Sequence, residues 1–244
     1  MFNESKSVDF TMPGLIQKLS RFFSDFEIVI VDDGSTDDSA EKVGEWTRRD
    51  SRVRLVRLPW NRCFGGALRA GFQQARKEYV IYTDFDLPVD LECLPRVIQA
   101  FADADVLTGF SDEISKHENL RTKLVSKTYN FLVRTFFGIR YRDINFGFKA
   151  VRRSVLQQFA LRSNSPFVDA ELFVLALRSG ARIKEIQVPF SERKQGCSQI
   201  RRLDVIGATF LDMIKLSFFL RFGARSSLST TVVEPSAKSP SDPF

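Results

Sequence analysis

Between residues 26 and 110 the chain alternates short β-branched apolar runs with longer amphipathic ones. Phe26-Glu27-Ile28-Val29-Ile30-Val31 stops at Asp32-Asp33-Gly34-Ser35-Thr36, the composition of a buried strand followed by a turn. A helix is predicted over 37–49, with Ser35 or Thr36 as its cap and Asp37, Asp38 and Glu41 near its positive end. The unit then repeats: a strand over 53–58, a helix over 65–77, a strand over 79–83 running into Asp84, a helix over 91–101 after Pro88, and a strand over 104–110. Such alternation predicts a mainly parallel sheet with helices on both faces. Ligands of such sheets gather at the carboxyl ends of the strands, which is where Asp32, Asp33, Asp84 and Asp86 stand.

The second half is less regular. The pattern predicts a long helix over 120–137, a strand over 146–151, a helix over 170–179 and a strand over 182–188, as a second lobe on the same sheet. A last helix over 205–222 presents Phe210, Ile214, Phe218, Phe219 and Phe222 with Lys215 and Arg221. That pattern fits either a packing helix or one lying in a membrane interface. Asp212 and Lys215 interrupt it, so it falls short of a clean membrane span. From residue 224 onward the chain is rich in Ser, Thr and Pro and cannot repay its ordering entropy. The organisation expected is one domain over 1–223 and a disordered tail over 224–244.

Composition changes this picture little. A hydrophobic fraction of 43% and a charged fraction of 27% are those of a globular protein, and 24 Phe residues leave some for a surface. The net charge of +6 suits nucleic acid, an anionic membrane face or a phosphorylated small molecule. The basic residues are scattered, with no aromatic-interleaved basic array, which argues against nucleic acid. Cys63, Cys93 and Cys197 form no CxxC pair, so neither a zinc site nor a disulfide framework is expected. No early stretch reads as a signal peptide, and a cytoplasmic location is expected. His117 lies in a polar loop and reads as a surface residue.

Chemistry concentrates in Asp84-Phe85-Asp86. Side chains of an extended segment alternate with a period of two, so both carboxylates can reach one ion. Hard divalent cations such as Mg2+ or Mn2+ take oxygen ligands and keep waters and substrate phosphates in their shell, so two carboxylates suffice. A DxD directly after a buried strand sits where a phosphate ligand is expected.

With its companions in order, this motif resembles those of the family two inverting glycosyltransferases. Phe2-Asn3-Glu4 looks like the end of their opening turn, and Val29-Ile30-Val31-Asp32-Asp33-Gly34-Ser35-Thr36-Asp37 is similar to their next strand end. Asn61-Arg62-Cys63-Phe64-Gly65-Gly66-Ala67 resembles their Asn-x-Gly-x-Gly-x-Ala helix start, and Asp84-Phe85-Asp86-Leu87-Pro88 their metal motif. The resemblance implies a GT-A fold, α/β, here with its first strand truncated, since only Met1 precedes Phe2. Cys63 replaces a common Gly, and Pro88 stands where several relatives carry Gln. Within the family the chain looks most like the polyprenyl-phosphate sugar synthases, such as dolichyl-phosphate mannose and glucose synthases. Asp143-Ile144-Asn145-Phe146-Gly147-Phe148-Lys149, Phe167-Val168-Asp169-Ala170-Glu171-Leu172 and Arg193-Lys194-Gln195-Gly196-Cys197-Ser198 are similar to three of their segments.

The resemblance implies these roles. Asp84 and Asp86 hold Mg2+ or Mn2+. Phe2, Asn3, Glu4, Asp32, Asp33, Asn61, Gly65, Asp84, Arg193 and Ser198 bind the UDP- or GDP-sugar, Arg193 and Ser198 at its diphosphate. Arg121 and Lys123 offer cations to a polyprenyl phosphate acceptor at the cytoplasmic face of a membrane, reached by peripheral contact or through a membrane-protein partner. A phosphate acceptor needs no general base; a hydroxyl of a growing glycan would, with Asp169 or Glu171 as candidates beside Asp86. A non-catalytic binder of nucleotide sugars is the third reading.

Overall fold

The computed structural model describes residues 1–112, 120–189 and 203–222, with side chains throughout except at 120–123 and 203. Its first element, helix α1 (Ser5–Phe22), lies outside the predicted alternation. Pro13 in its interior removes a backbone donor. Val8, Met12, Leu15 and Leu19 nevertheless recur at helical spacing, and Val8 and Met12 are fully buried. Packing of that stripe outweighs the proline.

Strand β1 (Ile28–Asp32), helix α2 (Ser39–Arg49), strand β2 (Val53–Arg57), helix α3 (Cys63–Gln74) and strand β3 (Tyr79–Thr83) follow within three residues of the predicted bounds. Asp38, rather than Ser35 or Thr36, takes the N-cap position of α2. Both hydroxyl residues are drawn to the start of the chain: the Asn3 amide donates to Ser35 Oγ at 2.9 Å and the Thr36 amide to Asn3 Oδ1 at 2.9 Å. The helix expected over 91–101 begins as a single 3-10 turn, Leu91–Cys93, and becomes helix α4 (Leu94–Ala100). Pro95 fits only the first turn of an α-helix, so α4 starts just before it. Strand β4 (Val106–Phe110), helix α5 (Leu120–Phe137), strand β5 (Phe148–Arg152), helices α6 (Arg153–Leu156) and α7 (Val168–Arg178), strand β6 (Ile183–Gln187) and helix α8 (Leu203–Phe222) complete the order.

The α/β layering is as expected, but strand directions are mixed and the sheet is in two parts. β1 and β2 pair in parallel, Ile28 opposite Val53. The other four strands run in the order β3-β5-β4-β6. β5 lies antiparallel to both β3 and β4, and β4 is parallel to β6. Alternation could not foresee the antiparallel course of β5, because its chain returns through α5 rather than through a simple crossover.

The two parts meet at β1 and β3 without sharing a ladder. Met1 lies at the carboxyl end of β1 on the side facing away from β2: its amine donates to the Val31 carbonyl at 2.7 Å and its carbonyl accepts from the Asp33 amide at 2.9 Å. That is a parallel bridge opposite Asp32. At the other end of the gap, Glu27 accepts from the Arg76 and Lys77 amides at 2.6 and 3.1 Å. Both faces are covered. Leu15 and Leu19 of α1 pack on the cores of both parts. On α3, Gly71 faces Val31 of β1 while Phe72 stands edge-on to Tyr82 of β3, with 5.4 Å between ring centres.

Candidate active site

The carboxyl ends of β1 and β3 carry the acids. Asp32 is fully buried; its Oδ1 accepts from the Ser35 amide at 3.2 Å and its Oδ2 lies 3.7 Å from Arg57 Nε. The neighbouring Asp33 accepts from the Arg62 amide at 2.6 Å, tying β1 to the start of α3. Burial raises the pKa of Asp33. Burial likewise lowers that of the Met1 ammonium, which Asp33, Asp32, Glu4 and Asp84 oppose by their charge. Acids from three separate stretches of the chain thus act on the charge of one amine.

The Asp84-Phe85-Asp86 turn is shaped from two sides. The Leu87 amide donates to the Asp84 carbonyl at 3.1 Å, and Leu87 takes a left-handed φ of 47°, a strained conformation for a bulky residue and of the kind found at functional sites. Phe85 packs on the β1–β2 core. Opposite, Gly147 presses on the acid so closely that a Cβ there would lie 2.8 Å from Asp84 Oδ2. Beside the acid, the Thr83 hydroxyl is buried without a hydrogen-bond partner among the described residues. A recess walled by Gly147 that leaves room for the Asp84 carboxylate fits an oxygen-ligated cation. Among the described residues no group of three or more His, Cys, Asp or Glu is close enough to enclose a metal; hard divalent cations commonly complete their shell with phosphates and water.

The other donor-site residues have structural partners. Glu4 Oε2 accepts from Ser7 Oγ at 2.7 Å and the Glu4 amide donates to Ser39 Oγ at 2.8 Å. Phe2 is half-buried beside them. Asn61 Oδ1 accepts from the Cys63 amide at 2.9 Å. Cys63 has φ 61°, which explains why glycine is the better residue there. The Gly65 amide donates to the Asn164 carbonyl at 2.8 Å, and a Cβ on Gly65 would collide with the Ser163 carbonyl at 2.2 Å. The glycine lets α3 dock on the loop before α7. A groove lined by Gly34, Ser35, Thr36, Arg57, Leu58 and Pro59 opens beside Asp32.

Asp169 and Glu171, the two acids of α7, are both engaged. Asp169 accepts from Tyr82 Oη at 2.6 Å and pairs with Lys149 Nζ at 2.9 Å. Glu171 accepts from the Arg162 and Ser163 amides at 3.0 and 2.8 Å. Position at a helix start reveals the charge of these acids but not these partners; the sequence offered them as candidate bases for a hydroxyl acceptor. It gave Asp143 no role of its own, although burial raises its pKa and Lys149 lies near enough to oppose the shift; only its motif signalled it. The side chains of Arg121 and Lys123 on α5, and the residues Arg193, Ser198, His117 and 224–244, lie outside the described residues.

Phe131 on α5 and Phe210, Leu211, Phe218 and Phe222 on α8 are exposed. Arg162 stacks on Phe219 at 4.2 Å. Among the described residues no helix is long and apolar enough to cross a membrane.

Known proteins match this arrangement. Residues 1–159 match the glycosyl transferase family 2. The dodecaprenyl-phosphate galacturonate synthase of Rhizobium johnstonii is 28% identical over 92% of this chain and 67% of its own length. An undecaprenyl-phosphate 4-deoxy-4-formamido-L-arabinose transferase of Pectobacterium carotovorum is 29% identical over 86% of this chain and 63% of its own. For the glycosyltransferase AglD of Haloferax volcanii the figures are 28%, 79% and 32%. The chain thus spans between about a third and two thirds of these relatives. In fold it is similar to glucosyl-3-phosphoglycerate synthase from Mycobacterium tuberculosis, crystallised with Mn2+ and UDP-glucose, at a TM-score of 0.63, 18% identity, and coverage of 91% of this chain and 77% of that one. With the strand-end acids, the DxD turn and the family match in agreement, the chain belongs to glycosyl transferase family 2, on a GT-A fold.

Proposed function

We propose that this chain transfers a sugar from a UDP- or GDP-sugar to a polyprenyl phosphate, with inversion and dependence on Mg2+ or Mn2+. The observation that carries the proposal is the placement of Asp32 and Asp33 at the carboxyl end of β1 and of the Asp84-Phe85-Asp86 turn at that of β3, with Asp84 set in the recess at Gly147. Asp84 and Asp86 would hold the cation, which when bound neutralises charge on a departing diphosphate. The groove beside Asp32 would take the base, with Asp32 and Asp33 directed at base and ribose. Arg193 and Ser198 are assigned to the diphosphate, and Arg121 and Lys123 to the acceptor phosphate. In transfer, an acceptor phosphate oxygen forms the new bond to the anomeric carbon as the bond to the donor diphosphate breaks. The bonding pair leaves with the diphosphate, and no proton has to move.

Engagement of Asp169 by Lys149 and Tyr82, and of Glu171 by two amides, favours this acceptor over a hydroxyl. A general base must stand within hydrogen-bond reach of the proton it takes, and the carboxylates of both acids are turned to these protein partners. The exposed aromatic side chains of α5 and α8 support work at a membrane face, with a lipid surface or a membrane protein as the contact. A hydroxyl acceptor is the second reading, and the raised proton affinity of Asp143 favours that residue as its base. The one-domain organisation over 1–223 with a tail at 224–244 is part of the same proposal.

Radiolabelled donor sugar, incubated with the protein and extracted lipid, should pass into the organic phase; label confined to the aqueous phase refutes the lipid acceptor. Asp86→Ala should lower metal-dependent transfer by about 100-fold or more, and full retained activity would remove the metal assignment. Binding of donor without any turnover, across donors and acceptors, would instead support a non-catalytic relative.

A further inference from the structure

Lys149 is fully buried, an unusual place for an ammonium group. It lies opposite Tyr82 across the β3–β5 ladder, 5.5 Å from the centre of that ring. Its Nζ donates to Asp169 Oδ2 at 2.9 Å and to the Phe146 carbonyl at 2.7 Å. The Phe148 amide also donates to the Phe146 carbonyl, at 2.7 Å. Asp169 accepts in turn from Tyr82 Oη at 2.6 Å. One ion pair therefore joins the end of β3, the start of β5 and the start of α7. The peptide it grips, at Phe146, leads directly into Gly147, the residue pressed against the Asp84 carboxylate and the Pro88 ring.

We propose that Lys149 is a positioning residue for Asp84: by holding the Phe146 carbonyl it sets Gly147 against the DxD turn and fixes where that carboxylate meets a divalent cation. The inference rests on the metal reading of Asp84 and Asp86. Gly147 has no left-handed φ, so its special role is space and not backbone freedom. A Cβ added there meets the far end of the Asp84 side chain, which can swing away while the backbone stays. Gly147→Ala should therefore keep the fold and displace the carboxylate.

The test is Mn2+ binding, read by the loss of the free-ion paramagnetic resonance signal in the presence of UDP and, separately, GDP, next to thermal unfolding and transfer kinetics. Lys149→Met alone strands Asp169 as a buried unpaired charge and is expected to fold poorly, so the double variant Lys149→Met/Asp169→Asn is used beside Gly147→Ala. The double variant keeps a hydrogen-bond acceptor for Tyr82 and removes both charges. Both variants should weaken Mn2+ binding at least fivefold and raise the metal concentration needed for half-maximal transfer, with melting of Gly147→Ala near that of wild type. Unchanged Mn2+ binding in folded Gly147→Ala, or in a folded double variant, overturns the positioning role. If the double variant does not fold, Gly147→Ala decides whether the contact at Asp84 matters, and its unchanged binding overturns the proposal. A wild-type chain that binds no Mn2+ with either nucleotide refutes the metal reading itself, and the inference with it.

Discussion

The two halves of the site stand on mounts of different construction. Asp84 rises from the four-stranded part, where β3 is laddered to β5, edge-packed by Tyr82 on Phe72, and tied to α7 through Lys149 and Asp169. Asp32 and Asp33 rise from a two-stranded part whose inner edge has Met1 at one end and Glu27 at the other, with no ladder between them. A ladder spreads restraint along every residue of a strand, and a strand is held more firmly when its ladder partner is itself backed by further strands. β1 and β3 are each laddered along one side, but β5 is itself backed by β4 and β6 and stapled to α7, so the proposed metal side is the more heavily backed and stiffer mount and the proposed nucleotide side the looser.

The largest effect should come from breaking the stiff mount. Lys149→Met leaves Asp169 uncompensated among buried neighbours and should cost about 3–5 kcal/mol of stability, measurable by denaturant unfolding. A loss under about 1 kcal/mol would mean that the pair is not the staple described. Completing the loose mount comes next. Adding five β-branched residues before Met1, in line with its parallel bridge to Asp32, should raise the melting temperature by several degrees, at about 2–4 °C for each kcal/mol gained. It should also slow amide exchange at Val29 and Ile81. A Gly-Ser extension of equal length is the control, and equal melting of the two would sink the idea that this gap accepts a strand.

Smaller effects separate the halves further. Cys63→Gly relieves a left-handed φ at the entrance to α3 and should stabilise by about 1 kcal/mol. That gain should also steady Asp33, which accepts from the adjacent Arg62 amide. The pH dependence should be the mildest difference. Burial raises the pKa of Asp33, so as pH falls it takes up its proton before an ordinary carboxylate does. Loss of the ionised acceptor should weaken nucleotide binding from a pH above the usual carboxylate range downward. Calorimetric titration of nucleotide should show that early decline in wild type and its absence in Asp33→Asn.

Much of the first half could be read from the chain. Ile28, Val29, Ile30 and Val31 before two aspartates, and Tyr79 to Thr83 before the DxD, signal strands by local composition, and their ends locate the acids. α1 escaped because Pro13 and Gly14 obscure a stripe that only its burial reveals. The antiparallel course of β5 escaped because strand direction depends on where a distant connection returns. Asp169 and Glu171 were visible as acids at a helix start, but their partners, Lys149, Tyr82 and two loop amides, come from other elements.

By itself the sequence determined the α/β class, the strand-end positions of Asp32, Asp33, Asp84 and Asp86, and the metal chemistry that two closely spaced carboxylates permit. Those follow from periodicity and residue type, which are local. Only the tertiary structure decided that the sheet is parted beside β1, that Gly147 walls the Asp84 carboxylate, and that Lys149 is spent on Asp169 and a backbone carbonyl. Each of these depends on long-range contact, where burial makes every unpaired polar group costly and so dictates which partners a side chain must take.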